Sequence, residues 1–470
     1  MTAIAALSAA ELGDLYAAGE LSPLEVARDA LARIERVEAE VNAFVVRDES
    51  VTLAMAGAAE ARWLKGEPLG PLDGVPVTIK DNLGVAGWPM RRGSAVASDA
   101  PFQQDAPAAA RLREAGCVFL GKTAMPEYGW KGVGDSPLSG VTRNPWDLAT
   151  GPGGSSSGAA VAAALNLGCI HLGTDGAGSV RIPAAFCGVF GLKPSYGRVP
   201  AWPVSVMGFL AHIGPLTRTV RDAALAMNAI GRPDARDMTA LADVPADFTG
   251  VLGGGVRGLR IAWSPRLGGA VEVDPEIAAL TETAALRFRD LGASVEAVDP
   301  GFEDPIATLM TLWSAGAALA LRSADAGTRA RMDPGLVAVA EQGEQVDGAA
   351  YVDALLYQRA ALAHQMAQFH ERFDLLLTPT LPLPAFATGR NTPEHGKYGD
   401  DWTRWTPFTY PFNITQQPAA AVPCGLTAAG LPASLQIVGP AGADHLVMRA
   451  AAAFEAAAPF ARIDVPVRAI

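Results

Sequence analysis

The stretch GPGGSSSGAAVAAALNLGCIHLGTD, Gly151–Asp175, opens on glycine and serine, runs through small apolar residues and closes on a short apolar segment. Glycine and serine at that density favour a turn. The alanine-rich GAAVAAALNLG that follows suits a helix, and CIHLGTD after Gly168 suits a strand. The same alternation recurs along the chain. APAAARLREAG reads as a helix ending at Gly116 and CVFLG as the strand after it, and further apolar runs stand at LRIAWS, ASVEAV, FDLLLTP, AAAVPCG and ASLQIVG. GVPVTIK, Gly74–Lys80, reads as a short buried strand with Pro76 at its entry or edge. Helices between short apolar strands predict one layered α/β fold around a mostly buried sheet. Ser8 with Glu11 and Ser22 with Glu25 have capping-box spacing, and Pro23 falls at a first helical position, so two helices are expected near the start.

Length and composition bound the function. A chain of 470 residues allows one large domain or two to three ordinary ones, and its 50% apolar content is enough for a large core. A net charge of −12 argues against a nucleic-acid partner, which requires clustered lysine and arginine. Cys117, Cys169, Cys187 and Cys424 are widely spaced, as buried thiols of a reducing compartment are, and do not form a disulfide frame or a metal site. The opening MTAIAALSAAELGD lacks a basic segment and is interrupted by Glu11 and Asp14, so no signal peptide is expected. No apolar run is long enough to span a membrane. A cytoplasmic protein is expected.

Three chemistries compete for the motifs, beside a fourth reading with no chemistry, an acidic α/β binding or scaffold module, which nothing in the sequence positively supports. GCVFLGKT, Gly116–Thr123, satisfies the G-x-x-x-x-G-K-[ST] phosphate-loop pattern, but its variable residues want burial in a strand and the element before it is helical. The match is accidental. Gly154–Gly158 fits G-x-S-x-G with Ser156 central, and His212, His364, His370 or His395 could be nominated as base. A nucleophile elbow needs a hydrophobic strand before it, which NPWDLATGPG cannot supply. The third chemistry is a serine hydrolase with a lysine base. Lys80 follows a buried strand in VTIKDN, Ser155 lies in GGSSSG, and Ser179 lies among small residues in GTDGAGSVRIPAAFCG. A serine needs a base to become a nucleophile. Lysine can serve when burial keeps it neutral, a second serine can relay the proton, and glycine-rich backbone can bring amides to an oxyanion. The competing structural explanation pairs Lys80 with Asp81 at the surface and makes the glycine-serine runs plain turns.

The residues Pro152–Pro200, together with PLDGVPVTIKDN, FLGKTAMPEYGW, GVTRNPWD, GPLTRTVRDAAL and PFNITQQPAAAVPCGLTAAGLPASLQIVG, resemble the amidase signature family. The resemblance implies a single domain over 1–470, α/β with a central mixed sheet flanked by helices on both faces. N-terminal helices would occupy 1–60, the signature core 65–232 and 373–455, and a more variable helical subregion about 250–370. It implies an amidase that cleaves a C–N bond through an acyl-enzyme, with no cofactor and no metal. Ser179 matches the nucleophile, Lys80 the base and Ser155 the bridging serine, which in the family follows a cis peptide bond. The amides of Gly176, Ala177, Gly178 and Ser179 would form the oxyanion hole. Two positions depart from the family pattern: Ser157 and Ala177 stand where glycine is usual, and the hole is expected to be intact unless Ala177 needs a positive φ.

In the family's tRNA-amidotransferase glutaminases, the alternative reading, an acidic residue precedes the P-x-N segment. Thr406 falls there, which predicts an uncharged substrate. Met125 and Trp130 join Thr406 as candidate pocket residues, with Trp202, Trp402 and Trp405 near stretches that could wall an apolar or aromatic acyl site. The segment 389–402 is a candidate lid. The expected partner is a small-molecule amide, with no nucleic acid and no membrane, and a homodimer is compatible.

Overall fold

The computed structural model describes residues 4–269, 271–393, 397–459 and 463. Both capping boxes form: Ser8 caps α1 (Ala9–Ala18) and Ser22 caps α2 (Pro23–Val41), each with its glutamate reaching back to the cap amide. Eleven strands build one sheet: β1 (Phe44–Val46), β2 (Pro76–Lys80), β3 (Val118–Thr123), β4 (Ile170–Asp175), β5 (Phe190–Lys193), β6 (His212–Thr217), β7 (Arg260–Trp263), β8 (Ser294–Ala297), β9 (Leu375–Pro379), β10 (Ala419–Leu426) and β11 (Pro432–Val438). Their order is β1-β3-β2-β4-β6-β5-β10-β11-β9-β7-β8. β3, β2 and β4 run parallel, as do β9, β7 and β8, and the strands between them pair antiparallel, so the sheet is mixed. Pro76 opens β2, where its missing N–H costs no ladder bond. The stretch about 250–370 supplies β7 and β8 to the same sheet.

Alternation along the strands divides the core. Val77, Ile79, Ile170, Leu172, Leu435 and Ile437 pack on one face with α1 and the helices Val220–Ile230 and Asp444–Ala457. Leu120, Leu216 and Ala421 pack on the other with α2, α3 (Ser157–Ala164) and α4 (Arg181–Cys187). A further cluster, with Ile182, Phe186, Trp313 and Trp405, joins α4 to α5 (Ile306–Leu321) and reaches Ala177, just beyond β4. Among the described residues no helix is long and apolar enough to cross a membrane.

Candidate active site

Lys80 ends β2 and Asp175 ends β4, and these neighbours run parallel with Ile79 opposite Leu172. Both chains therefore leave the sheet at one edge, the carboxyl end where open α/β sheets place ligand sites. Since Val77 and Ile79 face α1, Lys80 points to the opposite face, toward the turn that begins α3. That turn contains a cis peptide between Gly154 and Ser155. A β-carbon at Gly154 would collide with the backbone of Val133, which is why glycine is needed there. Ser157 opens the helix and its hydroxyl donates to the Ala124 carbonyl at 3.2 Å.

The hydrogen bonds around Lys80 can be assigned by counting donors. Lys80 Nζ lies 2.7 Å from Ser155 Oγ, 2.9 Å from Ser156 Oγ and 2.9 Å from Thr174 Oγ1. Ser156 Oγ already donates to the Thr174 carbonyl (3.1 Å) and accepts the Thr174 amide (3.2 Å), so toward Lys80 it can only accept. Thr174 Oγ1 also accepts from Asn82 Nδ2 at 2.9 Å. Burial holds the Lys80 pKa well below the ordinary lysine value, with Asp175 opposing the shift. A neutral amine has two N–H groups and one lone pair. Nζ also lies 3.4 Å from the Thr174 carbonyl, and with its N–H groups given to Ser156 and Thr174 a neutral Lys80 has its lone pair available to the Ser155 hydroxyl.

Ser179 follows β4 on a loop fixed by a buried ion network. Asp175 accepts from the Gly178 amide (2.7 Å), the Val180 amide (3.1 Å), Arg181 Nη2 (2.9 Å) and Asn413 Nδ2 (2.9 Å). Burial alone would raise the Asp175 pKa, but the Arg181 guanidinium beside it holds it well below the usual carboxylate range. Arg181 donates in addition to the Thr409 carbonyl, Asn413 Oδ1 and Gln436 Oε1. The Ser156 amide donates to the Ser179 carbonyl at 3.0 Å, which ties the two serine segments together. Arg181→Met leaves the Asp175 carboxylate buried without its cation. It is expected to cost about 3–5 kcal/mol, read as a lower urea midpoint, and an unchanged midpoint would show the network to be dispensable.

The oxyanion expectation changes in detail. Gly178 has φ 123°, and a β-carbon there would collide with Thr409 Oγ1, whereas Ala177 is not at positive φ and donates no strain to the loop. The Ala177 carbonyl is held by Thr409 Oγ1 at 2.7 Å. The Gly178 amide, however, is spent on Asp175. Among the described residues the amides of Gly176, Ala177 and Ser179 have no protein acceptor and remain free to bind an oxyanion.

Ser155 and Ser179 line one cavity of about 300 Å³, with Thr174, Gly176, Trp202, Met207, His212 and Trp313. Two larger hollows, about 590 and 660 Å³, contain neither Lys80 nor these serines. None of Met125, Trp130 and Thr406 lines the cavity. Thr406 is buried and donates to the Thr403 carbonyl at 3.0 Å, closing its own turn. The ring of Trp130 packs against Gly335, and Met125 lies behind Gly129. Trp402 and Trp405 are buried away from it, and no described residue of 389–402 lines it, residues 394–396 lying outside those described. Sequence reasoning missed Trp313 and Arg92 in the wall and the Asp175–Arg181 pair. Only the pair left a signal, the acid and base six residues apart around Ser179.

The competing chemistries lose their footing. Lys122 of the phosphate-loop pattern lies within β3 and pairs with buried Asp81 at 3.1 Å, so Asp81 is not available to Lys80. His212 Nδ1 faces the Leu210 carbonyl at 2.8 Å and His370 Nδ1 the Phe373 carbonyl at 3.0 Å; neither they nor His364 bond Ser156, and His395 lies outside the described residues.

A family model described as Amidase matches residues 25–448. The chain is 38% identical over 461 residues to an acylamidase of Rhodococcus erythropolis, covering 97% of this chain and 96% of that one. It is 35% identical over 480 residues to the A component of the glutamyl-tRNA(Gln) amidotransferase of Symbiobacterium thermophilum, covering 96% of each. A crystal structure of a bacterial aryl acylamidase of the amidase signature enzymes is similar with a TM-score of 0.88 at 34% identity, covering 97% of this chain and 96% of that one. With its mixed eleven-stranded sheet and a match along nearly its whole length, the chain belongs to the amidase family, the amidase signature enzymes.

Proposed function

We propose that the protein hydrolyses a carboxylic amide through an acyl-enzyme on Ser179, with Lys80 as base and Ser155 as proton relay. The observation that carries this reading is Ser155 Oγ 2.7 Å from Nζ of the fully buried Lys80, whose pKa burial holds well below the ordinary lysine value. Ser155 passes its proton to Lys80 as it takes the proton of Ser179, whose Oγ bonds to the amide carbon. The oxyanion is met by the amides of Gly176, Ala177 and Ser179. Lys80 returns the proton through Ser155 to the leaving nitrogen as the C–N bond breaks. Water then repeats the sequence on the acyl ester, releasing the acid and restoring Ser179.

The walls of Trp202, Met207, Trp313 and Leu319 favour an apolar or aromatic acyl group. The alternative, the glutaminase component of a tRNA-dependent amidotransferase, has the Symbiobacterium relative in its favour. Glutamine carries an ammonium group, and among the described residues no carboxylate lines this cavity. Unpaired cysteines fit a reducing cytoplasm.

Reaction with an organophosphorus serine probe followed by peptide mapping tests the reading. The label is expected on Ser179 and is largely lost in Lys80→Ala. A label on Ser156 that is indifferent to Lys80 would overturn it.

A further inference from the structure

Arg92 is the one ionised side chain among the described residues that line the cavity of Ser155 and Ser179, since burial holds the His212 pKa well below the ordinary histidine value. Its neighbour Arg91 is paired with Asp99 at 2.9 Å. The Arg92 guanidinium has no ion pair or hydrogen bond among the described residues, and Asp81, the acid at the end of the same loop, is already neutralised by Lys122. Beside Arg92 in the wall stands Tyr128, whose hydroxyl is likewise unpartnered among the described residues.

The backbone holds this pair in an uncommon geometry. Arg92 has φ 55° and Tyr128 φ 51°, left-handed conformations that a residue with a β-carbon rarely adopts. The Tyr128 amide donates to the Arg92 carbonyl at 2.7 Å, locking the two together. Strained non-glycine residues held by their surroundings cluster where a side chain must be aimed. A planar guanidinium and a phenol lining one cavity, with no carboxylate among the described lining residues, match a carboxylate ligand.

We propose that Arg92 and Tyr128 form a carboxylate subsite, so that the amide cleaved carries a carboxylate group. The inference rests on the assignment of Ser179 and Lys80 to amide hydrolysis, and it replaces the expectation of an uncharged substrate, which stood on Thr406. The carboxylate could belong to the acyl part or to the leaving amine, and the same contacts serve both.

The test compares three amides of matched length and apolar body: a monoamide of a dicarboxylic acid, an N-acyl amino acid and a neutral analogue ending in a methyl group. One of the two carboxylates is expected to exceed the neutral amide in kcat/KM by roughly ten- to a hundredfold, carried by KM. Which one is preferred assigns the side. The preference weakens with added salt, a measurement that needs no variant. Arg92→Met brings the ratio to near one, while Arg92→Lys keeps part of it and Tyr128→Phe lowers it less. Equal kcat/KM for all three amides in the wild type, or a ratio unmoved by Arg92→Met, overturns the subsite and leaves amide hydrolysis standing. No turnover of any of them counts against amide hydrolysis itself and removes the subsite with it.

Discussion

Ser179→Ala is expected to lower kcat by about four to six orders of magnitude on any amide the wild type cleaves. Alanine removes only the hydroxyl oxygen. The Ser179 carbonyl still accepts the Ser156 amide, and the loop is still held by Asp175, Arg181 and Thr409 through other residues, so the melting temperature should hold. What remains is catalysis from substrate binding and from the free amides near Gly176 and Ala177. Ser155→Ala should be less severe, because a water can occupy the space between Lys80 and Ser179 and carry the proton. Turnover of Ser179→Ala within tenfold of the wild type would falsify the acyl-enzyme.

The sequence carried local information well and long-range information poorly. Both N-terminal helix starts were legible, because Ser8–Glu11 and Ser22–Glu25 satisfy orphan amides within one turn. The strands at Pro76–Lys80 and Ile170–Asp175 were legible from their apolar runs. Lys80, Ser155 and Ser179 were each ambiguous alone. What unites Lys80 with Ser155, 75 positions on, is the packing of α3 against β2, a contact no local pattern encodes. The resemblance to a family supplied it instead. The wall of the cavity had no such help. Trp130 and Thr406 lie close in sequence to motif residues, but each turns to satisfy its own surroundings, Trp130 against Gly335 and Thr406 on Thr403. Arg181 reaches Asn413 and Gln436 across 232 and 255 positions, so its role emerges only once the sheet has formed.

Lys80→Met is expected to abolish activity yet leave the fold as stable as before, or more so. The loss in kcat should be about two to four orders of magnitude, the range of a general base. On the proposed mechanism activity needs the neutral amine, so its acidic limb is expected at the depressed Lys80 pKa, far below the roughly 10.4 of an exposed lysine, with turnover falling as pH drops through it. The stability effect has the opposite cause. A lysine whose folded pKa lies below its unfolded value binds fewer protons folded than unfolded. It therefore opposes folding below about pH 10.4, and the penalty shrinks as pH rises toward that value. Methionine fills similar space without that cost. Ser156 keeps its bonds to the Thr174 amide and carbonyl, and Thr174 Oγ1 keeps Asn82, so of the three hydroxyls that lose Lys80 only that of Ser155 is left without a protein partner among the described residues. Thermal melts of both proteins from pH 6 to 10 should show the variant equal or higher at neutral pH, with the gap narrowing at alkaline pH. A variant that melts lower throughout would mean that Lys80 is a charged, structural ion and not the base poised beside Ser155.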